Sequence, residues 1–242
     1  MISYFNTIDD IIDSSVETAI LPIGSVEQHG SHLPTGTDYF IIDALSRAVA
    51  EHLHAYLLPP LPLSTCYEHK GKKGSVWMRP STFHMMLQDI VLCLKQQGFK
   101  RVIVMLGHGG IFAAGPAIRE LNATNSDLQV IKIEPPASPA MKAIEEGDPW
   151  NDLHAGEEET SVMLYLQEQT VKKDKMLEND FVPSVPREYM NYSSILKLSP
   201  TGVWGKPSCA SKEKGEKLFA LMVEHCLQYI EDAFQHTEVS EW

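Results

Sequence analysis

The chain has 242 residues, 43% of them apolar and 21% charged, with a formal net charge of −12. That length suits a single domain spanning residues 1–242, with a core that needs no staples. The acidic balance excludes nucleic acid and an anionic membrane surface as main partners, since both call for basic patches. Cys66, Cys93, Cys209 and Cys226 are scattered with no CxxC pair, so no secreted disulfide framework is expected. The N-terminus MISYFNTIDDII lacks a basic region followed by an apolar run, and no stretch nears about eighteen consecutive apolar residues. The expectation is a soluble cytoplasmic protein with neither signal peptide nor membrane span.

Residues 17–24, ETAILPIG, read as a short apolar strand. It delivers residues 21–38, LPIGSVEQHGSHLPTGTD, which thread Glu27, His29, His32 and Asp38 among glycines and prolines. Carboxylate oxygen and imidazole nitrogen are preferred ligands of zinc, manganese and iron(II). In an extended segment i and i+2 share a face, so Glu27 and His29 can reach one ion pair with Gln28 turned away. A helix follows, with Ile42, Leu45, Val49 and Leu53 on one face and Asp38 at its N-cap or first turn, where a carboxylate is favoured.

Residues 55–63, AYLLPPLPL, are apolar but proline-rich and predict a strand that ends early. The glycine-punctuated loop from Ser64 to Pro80 carries Glu68, His69, Lys70, Lys72 and Lys73 and reads as a solvated connection. A helix from about Ser81, as N-cap, to Gln97 precedes Gly98 at C′. Residues 101–106, RVIVML, form a strand of the kind buried on both faces and run into Gly107-His108-Gly109-Gly110. A helix over about 112–122 and a strand over 128–133 follow. Residues 134–156 form a long loop, of the sort that is often functional. Residues 157–168 read as helical, residues 171–210 as irregular with four prolines, and residues 211–234 as a closing helix.

Short apolar strands alternating with amphipathic helices predict an α/β fold around a mostly parallel sheet. Ligands in such folds collect outside the carboxyl ends of the strands. His108 therefore lies beside Glu27, His29 and Asp38, a credible transition-metal set in which Asp38 most simply bridges two ions. The glycines around His108, including Gly109 and Gly110, let the backbone bend and leave space for a substrate. His32 is expected to shape the loop. His52, His54, His69, His84, His225 and His236 have no metal-ligand context and read as ordinary.

Three segments, LPIGSVEQHGSHLPTGTD, GHGG and DLHAGEEETS, resemble in order and separation the motifs of the creatininase (creatinine amidohydrolase) family. The resemblance implies a three-layer α/β sandwich, usually a homohexamer, with two zinc, manganese or iron ions that hydrolyse a C–N bond in a cyclic or otherwise small amide. It implies metal ligands at Glu27, His29, Asp38 and His108, with His154 moving a proton near the leaving nitrogen and Glu159 following it. A tryptophan four residues ahead of that histidine serves the family's creatinine hydrolases, and Trp150 stands there. Those enzymes also carry a metal-binding carboxylate two residues after the second-motif histidine, where this chain has Gly110, and Ile111 replaces a common asparagine. The second ion is one ligand short unless Glu159 supplies it, and a substrate other than creatinine is mildly favoured.

The expected chemistry is metal-assisted amide hydrolysis: a metal-activated water attacks the carbonyl and His154 protonates the departing nitrogen. The alternatives are a formamide, a short peptide or a cyclic diketone on the same centre, or a non-catalytic metal-binding protein.

Overall fold

Four apolar runs become strands of one parallel sheet in the computed structural model, which describes residues 1–134 and 138–237. They are β2 (Thr18–Ile23), β3 (Tyr56–Leu57), β4 (Arg101–Leu106) and β5 (Gln129–Ile133), and a short β1 (Ile2–Ser3), too brief to show any alternation, adds to β3. The five strands run in the order β1-β3-β2-β4-β5, with β2 and β4 paired from Thr18↔Arg101 to Ile23↔Leu106. β3 is shorter than residues 55–63 because Pro59, Pro60 and Pro62 offer no N–H to a ladder. Leu61 between them still donates to the Pro22 carbonyl at 2.9 Å.

The helices are α1 (Ile8–Asp13), α2 (Thr37–His52), α3 (Pro80–Gln96), α4 (Ala114–Thr124), α5 (Pro139–Lys142), α6 (Glu157–Leu166), α7 (Ile195–Leu198) and α8 (Lys212–His236). Their starts differ from expectation in two places. α3 opens on Pro80 with Arg79 as its N-cap, displacing Ser81 from that role, because proline's fixed φ suits the first helical position. α4 begins at Ala114, leaving Phe112 outside the helix and 73% exposed. Gly98 does close α3, at a φ of +96°.

The continuous apolar run of β4 divides between two cores. Ile103 and Met105 pack with Leu45 and Val49 of α2, Met163 of α6 and Leu218 and Met222 of α8. Val102, Val104 and Leu106 pack with Phe83, Leu87 and Val91 of α3 and Ala117 and Leu121 of α4. A strand buried on both faces has no polar side, which is why its sequence does not alternate. The result is a three-layer α/β sandwich.

α2, leaving β2, covers one face of the sheet, and α4, leaving β4, covers the other. The chain thus departs from two neighbouring strands in opposite directions, opening a crevice at their carboxyl ends. Residues 171–210 make 3₁₀ turns and the one-turn α7, yet they are not peripheral. Trp204, buried to 2% exposure, pairs its backbone with His154, and Gly205 pairs with Phe181. Among the described residues no helix is long and apolar enough to cross a membrane.

Candidate metal centre

Residues from four places in the sequence meet in the crevice. Glu27 and His29 follow β2, His108 follows β4, Asp38 sits in the first turn of α2, and His154 and Glu159 come from the start of α6. Gly107 lets α2 lie close to the sheet: a Cβ there would stand 2.8 Å from the Asp38 carbonyl oxygen and 2.9 Å from Ile42 Cβ. Glu27, His29, Asp38, His108 and His154 are all buried.

Asp38 faces two ways. Its Oδ1 lies 3.2 Å from His29 Nε2, and its Oδ2 lies 3.6 Å from His108 Nδ1. Glu27 Oε1 lies 3.1 Å from His108 Nδ1, and Glu159 Oε2 lies 3.8 Å from His29 Nε2. Donor atoms of His29, Asp38 and Glu159 come within 4.8 Å of one another, close enough to hold an ion.

Hydrogen bonds at the outer ring nitrogens fix which nitrogen is free. His29 Nδ1 donates to the Glu27 carbonyl at 3.1 Å, so a neutral His29 presents its Nε2 lone pair to Asp38 and Glu159. His108 Nε2 donates to Glu68 Oε1 at 2.9 Å, leaving Nδ1 free towards Glu27 and Asp38. His154 Nε2 donates to the Gln28 carbonyl at 2.8 Å, leaving Nδ1 free at 3.8 Å from Glu27 Oε1.

Lone pairs that converge on carboxylates need a cation between them. Glu27 Oε1 and Asp38 Oδ2 are buried oxygens with no hydrogen-bond partner. The 3.1 Å approaches to Glu27 Oε1 are therefore contacts without hydrogen-bond alignment. Burial pushes the His29 imidazolium down, but Asp38, Glu159 and Glu27 outweigh it and hold its pKa up at about 10. Burial, then repulsion from Glu27, raises Asp38. Burial also raises Glu159, against the pull of His29 and His154. Burial and the charge of His29 push His154 down to about 3. A buried nest of carboxylates that draws protons onto imidazoles fits a divalent cation.

His69, expected to be ordinary, is buried in this cluster, with Nε2 3.1 Å from Glu27 Oε1. Gln28 fixes its tautomer. The Gln28 amide is oriented by Nε2 donating to the Gly202 carbonyl at 2.9 Å and Oε1 accepting from Gly30 N–H at 3.1 Å. Nε2 also donates to His69 Nδ1 at 3.0 Å, so a neutral His69 carries its proton on Nε2. Although Glu27, His69 and His108 come close enough to hold an ion, a proton on His69 Nε2 leaves no lone pair facing Glu27. Neither Gln28 nor the Glu68-His69 pair was singled out from sequence. The only signal was an adjacent Glu-His in a glycine-rich loop.

The cluster opens into a cleft of about 800 Å³ lined by Glu68, His69, His108, Gly109, Gly110, His154 and Glu159, with Arg187, Met190 and Ile195 from the irregular segment. Trp150, expected at the substrate, lies on the 3₁₀ turn Pro149–Asn151 with 70% of its surface exposed, and is not part of this lining. His32 bonds Thr160 Oγ1 at 2.9 Å, tying the first motif to α6.

A parallel α/β sheet with such a cluster at its switch point has the make-up of a metal-dependent hydrolase. The chain belongs to the creatininase family: the family model described as creatinine amidohydrolase matches residues 6–230. It is similar to the mycofactocin precursor peptide peptidase of Mycobacterium ulcerans, 29% identical over 233 residues, covering 90% of this chain and 86% of that one. It is also similar to the creatinine amidohydrolase of Pseudomonas putida, 29% identical over 235 residues, covering 89% and 88%. A crystal structure of creatinine amidohydrolase has the same fold, with a TM-score of 0.82 at 24% identity over 96% of this chain and 98% of that one. Creatininases in zinc–zinc and manganese forms share it at TM-scores of 0.79 and 0.81. The chain is thus an enzyme of the amide-hydrolysing, divalent-metal class.

Proposed function

We propose that the chain hydrolyses a non-peptide or cyclic amide C–N bond at a two-metal centre held by Glu27, His29, Asp38, His108 and Glu159, with His154 moving the proton. The observation that carries this reading is Asp38, a buried carboxylate whose two oxygens face two different histidines. One ion would be held by Glu27, His108 and Asp38, the other by His29, Asp38 and Glu159. Glu159 would thereby stand in for the carboxylate that Gly110 does not provide. Divalent ions of the zinc or manganese kind would polarise a carbonyl and lower the pKa of water to about 7.

The remaining work belongs to side chains. His154, held by the Gln28 carbonyl with Nδ1 free, takes a proton from the attacking water and delivers it to the departing nitrogen. This makes the amine a competent leaving group and restores the neutral imidazole. Gly109 and Gly110 keep the cleft wall free of side chains, so the amide can approach.

A short-peptide amide is the second reading. It is favoured by a cleft of about 800 Å³ and by the similarity to a precursor-peptide peptidase. The apolar side chains of Phe5, Ile8 and Ile12, exposed at and before α1, are consistent with a homo-oligomer such as the family's hexamer. Metal analysis of Asp38→Ala and His154→Ala, with assays on creatinine, formamides, dipeptides and cyclic diketones, tests the centre. Asp38→Ala should lose both ions. His154→Ala should keep them and lose turnover about 10²–10⁴-fold. A full metal complement in Asp38→Ala would remove the bridge.

A further inference from the structure

Glu68 enters the centre from the loop between β3 and α3, forty residues from the histidine it meets. Its Oε1 accepts from His108 Nε2 at 2.9 Å, while His108 Nδ1 faces Glu27 and Asp38. The Glu68 side chain is 18% exposed and lines the cleft. Residue 110 is what makes room for it. A Cβ built on Gly110 would fall on Glu68 Oε1 and His108 Nε2, so any larger residue there would displace one or both.

We propose that Glu68 is the positioning residue of His108, and that Gly110 is glycine because the Glu68 carboxylate occupies the space a side chain at 110 would need. The inference rests on the two-metal reading above and extends it to a residue outside the three motifs. A carboxylate on the far nitrogen of an imidazole does two things. It fixes the proton on Nε2, so the Nδ1 lone pair is available to an ion, and it raises the basicity of that lone pair. It also holds the ring plane, so His108 meets the ion without losing rotamer freedom on binding. Among the described residues Glu68 is the hydrogen-bond partner of His108 Nε2, so it is Glu68 that sets that tautomer.

The test is zinc affinity of the metal-stripped full chain, read by competition with a chromophoric chelator, for the parent, Glu68→Ala and Glu68→Gln. Glu68→Ala should bind zinc about 10–100-fold more weakly. Glu68→Gln keeps a neutral acceptor at the same place and should fall between the two. It also carries the test if the alanine variant does not fold, as judged by circular dichroism. In the zinc-loaded parent, ¹⁵N spectra should show His108 Nε2 as N–H and Nδ1 as the ligand, a pattern a purely structural role for Glu68 would not require. Affinities for Glu68→Ala and Glu68→Gln within twofold of the parent, or a zinc-bound His108 with its proton on Nδ1, would overturn the positioning role alone. Failure of the parent to bind zinc or manganese would overturn the metal centre itself.

Discussion

Glu159 stands in the first turn of α6, where the helix dipole favours any carboxylate, and its Oε2 also accepts from the Ala155 N–H. Its 3.8 Å approach to His29 Nε2 separates an ion-binding role from that helix-end role. Glu159→Gln keeps the size and a carbonyl acceptor but removes the charge. It should reduce the metal content from two ions to one per chain, leaving the Glu27–His108 side filled, with at least about a hundredfold loss of turnover. Plasma mass spectrometry on the purified variant reads this directly, and two retained ions would reassign Glu159 to the helix end.

At this scale the sequence told most where geometry is local. The two-residue repeat of extended chain sets Glu27 and His29 apart from Gln28. In the structure Glu27 and His29 offer converging donor atoms, while the Gln28 amide reaches Gly202 and also touches His69 at the edge of the cluster. Glu68 and His69 were not legible. Their meaning depends on where a loop of glycines and lysines turns, and no periodicity encodes that.

The element that carries His154 is held by a buried ionic cluster rather than by regular structure. Lys142 of α5 binds Glu145 at 2.9 Å and Glu158 of α6 at 3.1 Å. Glu157 accepts from the N–H groups of Glu146 and Gly147 and pairs with Lys214 of α8 at 2.6 Å. Asp152, two residues before His154, accepts from Glu158 N–H at 2.8 Å. Burial, with repulsion from Glu145 and Glu158, holds its carboxyl well above the usual range. Between the unfolded value near about 3.9 and that raised value, the folded chain binds the extra proton. Stability from Asp152 is therefore full below the unfolded pKa and is lost as pH rises through the folded one. Asp152→Asn, which donates without titrating, should match the parent near pH 4 and exceed it at pH 8 in urea midpoint. Parallel curves for the two proteins across that range would refute the raised Asp152 pKa.

Strands and long helices were readable at this scale because each buries a stripe or a face. The boundaries that moved did so for local reasons: three prolines truncated β3, and Pro80 started α3. The 171–210 segment read as irregular and is so, but its function was invisible. Trp204 and Gly202 hold His154 and Gln28 through backbone atoms, which leave no mark in side-chain pattern.

For the whole molecule, the proposed metal centre is expected to act as a stability element too. Buried Glu27 and Asp38 each present an oxygen without a hydrogen bond, and such desolvated charge weakens the fold until a cation answers it. Chelation should lower Tm, and restoring zinc or manganese should reverse it. At a hundredfold excess of metal over Kd the difference is about 2.7 kcal/mol, or about 5–10 °C for a chain of this size. Scanning calorimetry with and without chelator measures it, and an unchanged Tm would show that the carboxylates need no ion.

The sequence by itself determined the layered α/β fold, the strand at 101–106 buried on both faces and the candidate donors of the first motif. Apolar runs and helical stripes specify burial, and i, i+2 spacing specifies which side chains share a side. It also carried the family, because LPIGSVEQHGSHLPTGTD, GHGG and DLHAGEEETS are contiguous strings. Only the tertiary structure decided the rest. The switch point between β2 and β4 brings four separated segments to one crevice. There the far hydrogen bonds of each imidazole, to Glu68 and to the carbonyls of Glu27 and Gln28, decide which nitrogen is left to bind an ion or carry a proton.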